Sequence, residues 1–102
     1  MSLPGPPAAR PSGGSGVRVR FWASARAAAG VPEVVVEVPG EVGLDDLVGR
    51  VLRELPGRAE LGRVLGVCSV LVGDRPAGAV ERRSVVVAPG ATVEFLPPFA
   101  GG

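Results

Sequence analysis

From position 17 the chain alternates apolar and polar residues one by one, with Val17, Val19 and Phe21 on one side and Arg18, Arg20 and Trp22 on the other. A period of two is that of a half-buried strand, so a first strand is expected here with Val17, Val19 and Phe21 facing the core. Residues 23–30 are small and mostly apolar. They suffice for one or two helical turns, which Gly30 would end, because glycine accepts the left-handed conformation of a helix cap. Pro32 then sets the entry into residues 33–38, where Val34, Val36 and Val38 share a face, and Pro39-Gly40 stops the run. Two such runs joined by about ten residues predict a wide antiparallel hairpin.

The period changes at Leu44. Leu44, Leu47, Val48, Val51, Leu52 and Leu55 fall at spacings of three and four, which places all six on one stripe of a helix. Asp45 and Asp46 in its first turn and Arg53 near its end suit the helix dipole, and Pro56-Gly57 stops it. Burying six aliphatic side chains would contribute roughly 10 to 18 kcal/mol before entropy, enough to hold this helix to a sheet. After a short segment at 59–65, residues 67–72 read as a buried strand, Gly73-Asp74 as a turn and 75–80 as the strand's partner, with a further short piece at 84–88. Pro89-Gly90 turns the chain into a last strand at 92–96, with Val93 and Phe95 inward. Pro97 and Pro98 have no N–H to donate to a ladder, so pairing should end there and the tail leave the domain extended. The order is strand, strand, helix, one or more strands, strand, tail, an α+β arrangement.

Composition changes the picture mainly by exclusion. The 102 residues are 46% hydrophobic, enough for one core and too few for two. Residues 1–16 hold four Pro, four Gly and three Ser, and read as a disordered leader that cannot bury enough surface to offset ordering. The expected organisation is therefore leader 1–16, domain 17–98 and flexible tail 99–102. A formal charge of +1 with no basic stripe argues against nucleic acid as a partner, and the lack of a signal peptide or a long apolar span points to a cytoplasmic protein with no membrane role. With no His and one Cys there is no Ser-His-Asp or Cys-His pairing and no His-containing zinc site. All eleven basic residues are Arg, which removes the lysine a Walker A loop requires. An independent enzyme is not expected. Cys68, within an apolar run, reads as a small buried hydrophobe, and Asp45-Asp46 as helix-start residues and not a carboxylate pair.

What remains is the end of the chain. The element order together with Val93-Glu94-Phe95-Leu96-Pro97-Pro98-Phe99-Ala100-Gly101-Gly102 closely resembles the small subunit of molybdopterin synthase, a ubiquitin-like sulfur carrier. Val17-Arg18-Val19-Arg20-Phe21-Trp22-Ala23, followed by Ala25-Arg26 and Gly30, is similar to that family's first strand and loop. Two departures stand out: Pro89-Gly90-Ala91-Thr92 where a Gly-Asp-Glu type turn is usual, and Phe99 where a smaller or polar residue is usual. The resemblance implies a ubiquitin-like β-grasp, a mixed sheet packed on one main helix.

The same resemblance implies the chemistry. The Gly102 carboxyl would be adenylated by a ubiquitin-activating-type adenylyltransferase that uses ATP, then thiocarboxylated from a sulfur donor; the carrier itself binds no cofactor and no metal. Gly101 and Ala100 would thread the tail into the molybdopterin synthase large subunit, which receives sulfur for a cyclic pterin precursor. Leu96, Pro97, Pro98, Phe99 and Trp22 would contact that partner. The alternatives are a carrier for another acceptor (tRNA thiolation, thiamine or cysteine synthesis), a ubiquitin-like modifier of protein lysines, or a plain binding module. The lysine-free chain excludes itself as a lysine acceptor in ubiquitin-type chains.

Overall fold

The alternation at the start of the chain builds the strand it predicts. In a computed structural model describing residues 16–77 and 84–98, β1 is Gly16–Phe21, with Val17, Val19 and Phe21 buried. The strand thus begins one residue earlier than expected, Gly16 standing opposite Glu37. The first helix, α1 (Ala23–Ala29), ends at Gly30, whose φ of 81° is the left-handed cap conformation and whose N–H donates to the Arg26 carbonyl. Strand β2 (Glu33–Glu37) pairs antiparallel with β1, so the expected hairpin is present. Val38 is buried but lies just past the strand's end.

The aliphatic stripe forms α2 (Leu44–Glu54), but its six members are not equally buried. Leu44, Leu47 and Val51 are completely enclosed, whereas Val48, Leu52 and Leu55 are half-buried at the margin of the core. A helix stripe about 100° wide meets a sheet along its centre line, and its flanks are covered only by whatever packs beside it. Here that neighbour includes α3 (Leu61–Val67), where Leu52 lies against Gly62. Leu47→Ala should therefore cost about 2 to 5 kcal/mol, and Leu52→Ala clearly less, about 1 to 2 kcal/mol, both read from urea unfolding midpoints.

Most of the short segment at 59–65 belongs to α3, which buries Leu61 and Leu65 one turn apart. This helix corrects the expected strand at 67–72: Val67 is the last residue of α3 and 63% exposed, and β4 is Ser69–Val72. A short aliphatic run carries no period of its own, so helix and strand compete for it and the neighbouring elements decide. Two more short pieces follow, β5 (Arg75–Ala77) and, beyond 78–83, which lie outside the described residues, β6 (Val86–Val87). β6 pairs with β3 (Val42–Gly43), a bridge too short to carry a sequence pattern. The last strand is β7 (Thr92–Leu96), with Val93 and Phe95 fully buried.

The main sheet has the order β2-β1-β7-β4-β5. β7 runs parallel to β1 and antiparallel to β4, which puts the last strand in the middle of a mixed sheet. Its inner face packs on the three helices of the described residues, with α2 the longest, and not on α2 alone. No helix among the described residues is long and apolar enough to cross a membrane.

Candidate functional site

The site is built where β7 ends. Val93 and Phe95 point into the core, so by strand alternation Thr92, Glu94 and Leu96 face the outer side of the sheet. The outer face also carries Arg18, Arg20 and Trp22 from the end of β1, Ser69 and Leu71 from β4, and Pro76 from β5. Register fixes who meets whom: Leu96 lies opposite Ser69, and Leu71 lies opposite both Glu94 and Pro76. Leu96, Pro97 and Pro98 join Ser69, Val70, Leu71, Pro76 and Ala77 around an open groove of about 480 Å³. None of its lining side chains is charged, and only Ser69 brings a hydroxyl.

Three of the residues expected to meet a partner, Leu96, Pro97 and Pro98, thus line one apolar groove at the base of the tail. Trp22 does not line it. The N–H of Trp22 donates to the Phe95 carbonyl at 3.1 Å, which seats it on the other side of β7. The indole is 42% exposed, donates from Nε1 to Glu94 Oε1 at 2.9 Å, and lies 5.1 Å beneath the Arg20 guanidinium carbon. A hydrogen bond on one edge and a cation on one face hold the ring in place although much of it meets solvent. The following residue, Ala23, has a φ of 50°, unusual without a glycine, at the corner where the chain leaves the sheet for α1.

Phe99, Ala100, Gly101 and Gly102 lie outside the described residues. Ser69, Val70, Leu71, Pro76 and Ala77 are the groove residues that the sequence did not announce. Only the period-two position of Leu71 relative to buried Val70 hinted at an outward side chain. The groove depends on β4 and β5 sitting beside β7, and pattern alone carries no register between strands.

The other candidates resolve simply. Cys68 is buried at the end of α3, not inside a strand, and its thiol donates to the Val64 carbonyl at 3.2 Å. Asp45 and Asp46 occupy the first turn of α2, and Asp46 pairs with Arg50 at 3.2 Å, an ordinary surface contact one turn apart. Among the described residues no group of His, Cys, Asp or Glu is arranged to hold a metal ion.

A mixed sheet wrapped on a principal helix, with the last strand central and the chain leaving from its end, is the ubiquitin-like β-grasp architecture. Solved structures agree. The chain is similar to small archaeal modifier protein 1 from Haloferax volcanii, with a TM-score of 0.69 at 23% identity over 85% of this chain and 99% of that one. It is also similar to small archaeal modifier protein 1 from Methanosarcina acetivorans (TM-score 0.65, 20% identity, 87% and 98% covered). A protein assigned as molybdopterin converting factor, subunit 1, from Pyrococcus furiosus matches with a TM-score of 0.64 at 20% identity, covering 82% of this chain and 98% of that chain. No protein-family model matches the sequence, and no curated protein is significantly similar to it.

Proposed function

We propose that this chain is a ubiquitin-like sulfur carrier of molybdopterin synthesis, working through the carboxyl of Gly102. The observation that carries the reading is the coincidence of an apolar, uncharged groove with the point where Pro97 and Pro98 lead off from the central strand. A tail that must enter a partner's active site needs a rigid base and an adhesive patch beside it. β7, paired on both sides, supplies the base, and the groove supplies the patch. Ordering the four residues after Pro98 costs about 1 to 2 kcal/mol each, and the two prolines lower that cost by restricting the segment beforehand.

A carboxylate is a poor electrophile, so sulfur transfer requires activation. A Gly102 oxygen attacks the α-phosphorus of ATP on the adenylyltransferase, releasing pyrophosphate and leaving an acyl-adenylate. Hydrosulfide, or a donor at the same oxidation level, then attacks the acyl carbon and expels AMP, giving the thiocarboxylate. Absence of Cβ at Gly101 and Gly102 lets the backbone pass a narrow channel and leaves the reacting carbon open. In the synthase, the large subunit would receive this end and take sulfur from it for the cyclic pterin precursor.

Incubation with ATP, sulfide and the cognate adenylyltransferase should raise the intact mass by one sulfur less one oxygen, localised to Gly102. Subsequent loss of that mass on mixing with the large subunit and pterin precursor would support this acceptor; no gain with a verified activating enzyme would reject the carrier reading. The likeness to archaeal modifier proteins favours a second reading, in which the same activated end is joined to lysines of other proteins. Ala-Gly-Gly remnants on lysines of cell extracts digested with chymotrypsin, which cleaves after Phe99, with no transfer to pterin, would select it. In either case Leu96→Asp, which places a charge in the groove, should weaken binding to the large subunit or acceptor complex by about tenfold or more without lowering the melting temperature appreciably.

A further inference from the structure

The two outer strands of the sheet are unlike each other. β5 is three residues long with Pro76 at its centre, and a proline blunts an edge because it offers no N–H. β2 is five residues long, contains no proline, and among the described residues has no strand on its far side. The pairing pattern says which of its backbone groups face outward. The Phe21 N–H donates to the Pro32 carbonyl at 2.9 Å, so in the antiparallel register Val19 with Val34 and Val17 with Val36 are the hydrogen-bonded pairs. The other side of β1 agrees: the N–H groups of Arg18 and Trp22 donate to Ala91 and Phe95 instead. Glu33 and Val35 therefore turn their N–H and C=O groups toward the open edge.

Their side chains lie on the outer face with that of Glu37, in the order acid, apolar, acid. Val35 is 50% exposed, one of the large hydrophobic residues most open to solvent. Glu33 reaches Arg18 at 3.1 Å and Arg20 at 3.7 Å within this chain, so its carboxylate already accepts guanidinium partners. A second copy is a poor occupant, because antiparallel pairing about Val35 would set Glu33 against Glu37 and oppose like charges. The leader is also unsuited, since Pro4, Pro6, Pro7 and Pro11 remove ladder donors at close intervals.

We propose that the β2 edge binds an extended segment of a partner protein as an added strand, an apolar residue beside Val35 flanked two positions away on each side by Lys or Arg. The backbone of Glu33 and Val35 would supply the ladder, and the alternate acidic side chains the sequence preference. β1 separates this edge from β7, and the tail-base groove is lined by β7, β4 and β5. The two surfaces can then be occupied together, and the edge site does not depend on the sulfur-carrier reading.

The test is a nuclear magnetic resonance titration of the full isotope-labelled chain with synthetic peptides centred on Lys-Thr-Val-Thr-Lys and on Glu-Thr-Val-Thr-Glu. The basic peptide should shift the Glu33 and Val35 amides and slow hydrogen exchange at Val35, and the acidic one should bind about tenfold more weakly. Val35→Lys, at an exposed position that leaves the β1 ladder intact, should weaken the basic peptide about tenfold while melting like the parent. Failure of the basic peptide to bind, equal binding of both peptides, shifts confined to Leu71 and Leu96, or undiminished binding by Val35→Lys would each overturn the proposal, leaving the glutamates as guards against edge aggregation.

Discussion

Deleting Gly102 alone should abolish sulfur loading while leaving the unfolding free energy unchanged. Adenylation and thiolation act on one carboxyl carbon, and shortening the chain by one residue withdraws that carbon from an active site whose depth is set by the activating enzyme. A shift of one residue is about 3.5 Å, and a misplacement of that size removes most of the rate gained from positioning. The tail follows Pro97 and Pro98, which pair with nothing in the sheet, so the core should not register the loss. Intact-mass analysis after the loading reaction gives the first outcome and urea denaturation the second. Sulfur gain by the shortened chain at the parent's rate would show that Gly102 is not the reacting residue.

The second large effect is the converse, a loss of stability with the tail chemistry intact. Phe95→Ala should cost about 3 to 5 kcal/mol, a large share of the roughly 5 to 15 kcal/mol that holds a domain of this size. Phe95 is completely buried on the central strand, and its ring lies 6.4 Å from that of Phe21 on the parallel neighbour, stacked at 27°. Neighbours on both flanks restrict β7 from moving to fill the void, and cavities that cannot collapse carry the greater cost. The urea midpoint should fall with an unchanged slope, and the residual folded protein should still accept sulfur. A loss below about 1 kcal/mol would mean that the core closes around the missing ring.

The elements with a clear period were legible in the residues. Val17, Val19 and Phe21 alternate with charged neighbours, and Leu44, Leu47 and Val51 repeat at helical spacing, so strand β1 and helix α2 follow from local geometry. The segment from Leu61 to Val72 was not legible in this way. Its aliphatic residues suit a helix or a strand, and the boundary near Cys68 is set by what α3 and β4 each pack against. The pair β3 and β6, two residues each, has no period to read.

The candidate site divides along the same line. Leu96, Pro97, Pro98 and the diglycine all fall within residues 96–102, so their order on the chain was enough to predict a tail with a stiff apolar base. Their partners in the groove, Leu71, Pro76 and Ala77, come from strands that meet β7 only through long-range register. Trp22 illustrates both. Alternation placed it on the outer face, yet its hydrogen bond to Glu94 across 72 residues and its separation from the groove exist only once β1 and β7 are parallel neighbours. By itself the sequence determined periodicity and turns and supplied the terminal residues on which the proposed tail chemistry rests, because these depend on residues close along the chain. The tertiary structure alone decided which strand is central, which edge is open among the described residues and what surrounds Leu96, because those contacts form between residues far apart in sequence.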